Sequence, residues 1–205
     1  DLLLLAKVLW RKKWILISIP LLAAIAAFIF TMDTVDMYRA SSQISTGFTQ
    51  NDVVSITDEK FNIRDADVKF SNLLSTMRTA IPMNLVAFRL LQHDLESETP
   101  FRTPENFYPT PDEKETVIKF LQEKLTTFSP LSTSDEHYNL VRKFLTAYRY
   151  SYPHVLDAIN ISRVQNTDNV IIEFISDDPM VSALGANAYA DEFIKYYNSL
   201  KSERT

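Results

Sequence analysis

Trp14 to Met32 reads WILISIPLLAAIAAFIFTM, 19 consecutive residues without a charged side chain. At about 1.5 Å per residue, a helix of that length is about 28 Å long, close to the hydrocarbon thickness of a bilayer. A cleavable signal has a shorter apolar core, of roughly 7 to 15 residues, and ends on small residues. Here Phe28, Ile29, Phe30 and Met32 fill the end of the run. The stretch is therefore read as a retained transmembrane helix, ahead of a cleaved signal or a buried soluble helix. Everything else in the sequence is arranged around it.

Charge orients the span. Lys7, Arg11, Lys12 and Lys13 precede it, and Asp33 and Asp36 follow it. Lys and Arg are retained on the cytoplasmic side, so these four residues are the topology determinants. They predict a cytoplasmic N-terminus, with residues 33 onward across the membrane. Trp10 and Trp14 flank the basic cluster, where amphipathic rings favour the interface. Leu2 to Val8 is expected to lie along the membrane surface. Pro20 lies about two turns into the span, as lipid-embedded helices tolerate.

Composition excludes several functions. The 205 residues suffice for one sizeable domain, and 46% apolar against 23% charged residues is not the balance of a disordered chain. There is no cysteine, hence no disulfide, thiolate metal site or Cys nucleophile. Glycine occurs only at Gly47 and Gly185, too sparse for a phosphate- or dinucleotide-binding loop. Setting aside the four cations and one acid before residue 33 leaves 17 Lys+Arg against 25 Asp+Glu, a net charge of −8. That balance argues against nucleic acid as a partner. The chain begins at Asp1 rather than Met and ends at Thr205 within helical sequence, so it is read as a piece of something longer.

Beyond the span, Tyr38–Thr46 alternates as a half-buried strand ended by Gly47, and Asn51–Asn62 is ambiguous. Asp65–Thr79 is expected to be helical, with Val68, Leu73, Leu74 and Met77 on one side, and Pro82 opens a second helix to about Leu95. Thr99–Pro111, with four prolines, reads as an irregular loop. Thr110, Pro111 and Glu113 are a capping box starting a helix to about Thr127. After Pro130, Ser134 is expected to cap a helix to about Tyr148. Ile159–Val164 and Val170–Ile175 read as an antiparallel hairpin turned by Asn166–Asn169. Asp177 or Asp178 caps the last helix, with Pro179 in its first turn.

That last helix is small-sided at Ala183, Gly185, Ala186, Ala188 and Ala190, and carries an apolar stripe through Phe193, Tyr197 and Leu200. Ala183, Ala186, Asn187, Ala190, Phe193, Tyr197 and Leu200 are the expected contact face for a partner helix. His93, His137 and His154 share no metal-ligand spacing. His93-Asp94 is read as charge compensation at a helix end, Asp135-Glu136-His137 as first-turn residues suited to the helix dipole, and Tyr148, Tyr150 and Tyr152 as aromatic packing rather than a sugar-stacking platform.

The order of a basic stub, a single span and Tyr38-Arg39-Ala40-Ser41, followed much later by a hydrophobic strand running into Ser176-Asp177-Asp178-Pro179 and a helix with Ala183, Ala186-Asn187 and Ala190, resembles the Wzz-type chain-length determinants. These polysaccharide co-polymerases include the Wzc-like exporters. The resemblance covers residues 7–49 and 158–200. It implies an α+β protein of the bacterial inner membrane: an N-terminal transmembrane helix, a small membrane-proximal α/β base domain with inserted helices, and the start of a long helical arm. The implied division is 1–13 cytoplasmic stub, 14–32 span, 33–98 first part of the base, 99–157 helical insertion, 158–178 strand hairpin of the base and 179–205 the start of the arm.

The resemblance also implies ring-like homo-oligomers, often octamers. Membrane lipid, surface polysaccharide and outer-membrane export or polymerase components would be the further partners. In the Wzc-like branch a second span leads to a cytoplasmic tyrosine kinase, and neither is present in these residues. The segment is accordingly expected to be non-enzymatic, without cofactor or metal. The competing classes are a periplasmic adaptor of a secretion or efflux system, disfavoured by the scarcity of glycine, and a sensor ectodomain.

Overall fold

A computed structural model of the protein describes residues 10–32, 36–47, 63–104 and 106–202. The chain forms two compact units, residues 1–36 and 37–205. Lys7, the Leu2–Val8 stretch, Asp33 and the ambiguous Asn51–Asn62 lie outside the described residues.

In the first unit, α1 (Lys13–Met32) is 20 residues long and contains Pro20. It is long and apolar enough to cross a membrane, with a mean hydropathy of 2.5 over 18 residues, and none of that window is buried within the protein. Its few polar side chains turn inward on the backbone: Ser18 Oγ donates to the Ile15 carbonyl at 3.3 Å, and Thr31 Oγ1 donates to the Ala27 carbonyl. Such bonds satisfy hydroxyls where water is absent. Lys13 Nζ stands 5.5 Å from the Trp10 ring centroid.

The second unit is built on a three-stranded antiparallel sheet ordered β1-β3-β2, from β1 (Tyr38–Ser45), β2 (Ile159–Arg163) and β3 (Asn169–Ser176). The central strand alternates: Val170, Ile172, Phe174 and Ser176 are buried, and Ile171, Glu173 and Ile175 are half-buried. Ala40, Ser42 and Ile44 of β1 lie opposite Phe174, Ile172 and Val170 and share their face. On the opposite face Arg39 pairs with Glu173 at 3.2 Å, and Asn160 Nδ2 donates to Glu173 Oε2 at 2.8 Å. The hairpin turn holds Asn166 at φ 59°, a left-handed conformation that asparagine tolerates.

Six helices join the sheet. They are α2 (Ile63–Met77), α3 (Ala80–Glu96), α4 (Pro111–Thr127), α5 (Tyr138–Ala147), α6 (Tyr152–Ala158) and α7 (Pro179–Ser202). α7 packs on β1 and β3, α3 packs on α7, and α4, α5 and α6 pack on α3. α3 is thus surrounded, which is why Pro82 through Phe88, Leu90 and Leu91 are all buried. The core runs without a break from Phe70 to Phe193 and includes Val117, Leu121, Phe144 and Val155. Residues 99–157 therefore share one core with the strands on either side of them.

Local signals fare well where the bonds are local. Thr110 Oγ1 accepts from the Glu113 amide at 3.2 Å, and Glu113 Oε2 accepts from the Thr110 amide at 2.8 Å, completing the capping box. Between the two aspartates, the cap of α7 is Asp178. Its Oδ1 accepts from the amides of Met180 (2.7 Å) and Val181 (3.0 Å). Asp178→Ala should cost about 1 kcal/mol, the usual loss for removing an N-cap acceptor, measurable by chemical denaturation.

Two expectations are corrected. Val68 is 53% exposed, and the buried stripe of α2 is Phe70, Leu73 and Met77, with Leu74 half-buried. The helix turns its i, i+3, i+7 set toward β2, where Arg163 caps Phe70 with its guanidinium 3.7 Å from the ring centroid. Ser134 does not cap α5, which starts at Tyr138 behind His137. The Ser134 hydroxyl bonds to Ser132 Oγ at 2.8 Å, and Asp135 holds the preceding turn by accepting from the Ser132 amide and from Lys124 Nζ, both at 2.8 Å.

Candidate functional site

The densest polar arrangement lies where the loop after α3 meets the ends of α5 and β3. Asp94, in the last turn of α3, is 5% exposed. Its carboxylate accepts from the Phe101 amide (2.9 Å), the Arg102 amide (3.2 Å) and the Tyr150 hydroxyl (2.7 Å), and meets His93 Nδ1 at 3.1 Å. His93 stacks on Phe101 with ring centroids 4.0 Å apart. Tyr150 is delivered by the end of α5. Arg149 there adopts φ 58°, the Tyr150 amide reaches back to the Leu145 carbonyl (2.8 Å), and the Arg149 amide to that of Thr146 (3.1 Å). This is a Schellman closure, with arginine where glycine is commonest.

Arg102 carries the network to the sheet. It donates to the Arg149 carbonyl (2.9 Å), Ser176 Oγ (3.0 Å) and Asp177 Oδ1 (2.5 Å), and lies 4.9 Å from the Tyr150 ring centroid. Arg149 adds a second pairing to Asp177 Oδ2 at 3.1 Å. Burial, then the charge and hydrogen bond of Asp94, push the Tyr150 phenol far above its ordinary range. It stays a proton donor at any physiological pH. Burial alone raises the Asp177 pKa, but the Arg102 charge and the hydrogen bonds from Ser176 and Arg102 outweigh it and hold the carboxyl below its ordinary value.

A group depressed in the folded state stabilises that state above its unfolded pKa, and the contribution is lost as pH falls through the folded value. Acidification below about pH 4 should therefore loosen the Arg102–Asp177 contact. Arg102→Gln should flatten that part of a stability–pH profile measured by thermal denaturation.

A second buried carboxylate, Glu192 on α7, is 2% exposed. Its Oε1 accepts from Arg89 Nε (2.7 Å) and Lys195 Nζ (2.9 Å), joining α7 to α3, and its Oε2 has no partner among the described residues. Tyr189 is fully buried with its hydroxyl donating to the Met77 carbonyl, and burial pushes its phenol upward as well.

These groups are bonded to one another, and their arrangement does structural work. Asp94 fastens the proline-containing loop 97–110 to the helices, and Arg102 fastens it to the sheet. The compensation expected of His93-Asp94 gives way to this larger role, which spacing could not show because the three donors come from residues 101, 102 and 150. Tyr148 and Tyr150 are buried at 7% and 1%, while Tyr152 is 37% exposed on another cleft. His137 precedes α5, and His154 Nδ1 meets Ser151 Oγ at 2.7 Å. Among the described residues no group of three or more His, Asp or Glu is placed to hold a metal ion.

The expected contact face of α7 is largely used within the chain. Ala186 (1%), Ala190 (6%) and Phe193 (3%) are buried in this protein's own core, so they are corrected from partner contacts to core residues. Ala183, Tyr197 and Leu200 are half-buried, and Asn187 is exposed. Arg11 and Lys12, just before α1, and Lys13, its first residue, are exposed.

Residues 1–81 match the family model of the Wzz chain length determinant protein. The N-terminal region is Wzz-type. Its extent covers α1, β1 and α2 and stops at the first residues of α3. No curated protein and no solved structure matches the chain. The Wzz-type region supports a role in determining chain length in polysaccharide synthesis, and with the apolar helix it marks a membrane protein. Among the described residues, the matched part contributes β1, whose strand partner is β3, with Tyr38 opposite Ser176 and Ser45 opposite Asn169. The Wzz-type strand is completed by β3, far along the chain and outside the matched residues.

Proposed function

We propose that this protein is an inner-membrane polysaccharide co-polymerase, oligomeric and non-enzymatic in these residues, that helps set chain length or pass surface polysaccharide outward. The observation that carries the reading is the Wzz-type match over residues 1–81, which spans the apolar helix and the first strand of the sheet. The N-terminus is cytoplasmic, held by Lys7, Arg11, Lys12 and Lys13, and the α+β unit is periplasmic. Ring formation uses what α7 leaves at the surface, including Asn187, Tyr197 and Leu200. Membrane anchoring favours such assembly by raising the local concentration. The further partners are surface polysaccharide and the outer-membrane export or polymerase components.

Deleting the gene should shift the length distribution or amount of surface polysaccharide on gels, and an unchanged pattern would remove the reading. Topology is open to an independent check because the chain has no cysteine. In intact spheroplasts a membrane-impermeant maleimide should label Lys119→Cys, at a side chain 72% exposed, and spare Lys7→Cys. The reverse pattern would invert the topology.

A further inference from the structure

We infer that the cleft between the N-terminal half of α3, α5 and the start of α6 binds an acidic oligosaccharide, one bearing uronate carboxylates. This rests on the polysaccharide reading above and names the ligand chemistry for it. The cleft has a volume of about 470 Å³, a size usual for small-ligand sites. Its lining combines Tyr138 and Tyr152, apolar Leu131 and Leu145, and polar Asn84 and Arg142. Asn84 Nδ2 is tied to the Ala80 carbonyl at 2.7 Å, leaving the amide oxygen as an acceptor.

Arg142 is what selects the ligand. Arg89, Arg102, Lys124 and Arg163 are all engaged with carboxylates of this chain. The Arg142 side chain is exposed and makes no hydrogen bond or ion pair among the described residues. Among the described residues no carboxylate lines the cleft, although the chain beyond the span carries a net charge of −8 from 17 Lys+Arg and 25 Asp+Glu. An unengaged guanidinium in an otherwise acidic unit is a local site for an anion, and its planar fork matches a carboxylate with two parallel bonds.

The tyrosines supply the rest. A pyranose presents an apolar face of C–H groups, partly positive, which lies favourably on the negative face of an aromatic ring. The phenol hydroxyls of Tyr138 and Tyr152 make no hydrogen bond among the described residues, so both are available to sugar hydroxyls. Asn84, Tyr138, Arg142 and Tyr152 all lie beyond the family-matched residues 1–81, while Ala80 at the cleft's edge lies within them.

The test uses the full chain in lipid nanodiscs, with tetragalacturonate and a glucuronate tetramer as acidic probes and maltotetraose as the neutral one. Binding is read by calorimetry and saturation-transfer NMR. At least one acidic probe should bind, and Arg142→Gln should weaken it tenfold or more while leaving circular dichroism and thermal midpoint unchanged. Tyr152→Ala should also weaken it. Maltotetraose should bind more weakly than the acidic probe, with no response to Arg142→Gln. Failure of both acidic probes at millimolar concentration, or equal affinity in Arg142→Gln, overturns the site. Altered polymer on gene deletion without Arg142-dependent binding overturns the cleft and leaves the chain-length reading standing. Arg142-dependent binding with unaltered polymer supports the cleft and removes that reading.

Discussion

Replacing Asp94 with alanine should cost the α+β unit about 3–5 kcal/mol, because it strips the acceptor from one buried and two part-buried donors at once. The amides of Phe101 and Arg102 and the hydroxyl of Tyr150 would all lose their acceptor. The phenol cannot escape by ionising, since its pKa is pushed far up. In a chain of this size each kcal/mol moves the thermal midpoint by about 2–4 °C, so a fall of roughly 10 °C is expected in detergent-solubilised protein. Asp94→Asn should fall less, because a carboxamide keeps one acceptor. Tyr150→Phe should cost only about 1 kcal/mol, as donor and contact go together. A midpoint for Asp94→Ala within 2 °C of the parent would show that the loop is held by something other than this carboxylate.

Gly185 offers the second large effect. A Cβ built there stands 2.7 Å from Cγ of Phe174 and 2.8 Å from both Cδ atoms. Phe174 is 3% exposed on the central strand, between β1 and β2, so its ring has little room to yield. Two effects compete in Gly185→Ala. Helix propensity favours alanine by about 1 kcal/mol. Overpacking costs about 1–3 kcal/mol, and a contact this short against an aromatic ring belongs at the upper end. The net expectation is a loss of about 1–2 kcal/mol for alanine and more than 3 kcal/mol for leucine. Phe174→Leu should be destabilising alone yet partly rescue Gly185→Ala, giving a non-additive cycle in denaturation midpoints. Additive losses, or a gain in stability for Gly185→Ala, would show that helix and strand are not held at this distance.

The Gly185 result bears on how α7 was to be understood. Its small residues imply close approach by some neighbour, and a second helix is the natural expectation. The neighbour is the chain's own sheet, with Phe174 filling the space, and α3 covering the adjoining face. An apolar stripe states that a surface must be covered. It carries no information about whether the cover comes from the same chain or another.

What the residues alone determined was whatever depends on neighbours in sequence. The apolar run of α1 follows from length and charge, the capping box of Thr110 and Glu113 from a spacing of three, and the β2–β3 hairpin from alternation around a polar turn. Each closes its hydrogen bonds within a few residues, so composition and spacing suffice. Tertiary structure alone decided that β1 pairs with β3 and that Asp178 caps α7 while Asp177 turns to Arg102. It also decided that Phe70 rather than Val68 faces inward, and that Asp94 gathers donors from residues 101 to 150. Those outcomes compare the burial and pairing of groups brought together only when the core closes. No local pattern encodes which of several suitable partners the fold will supply.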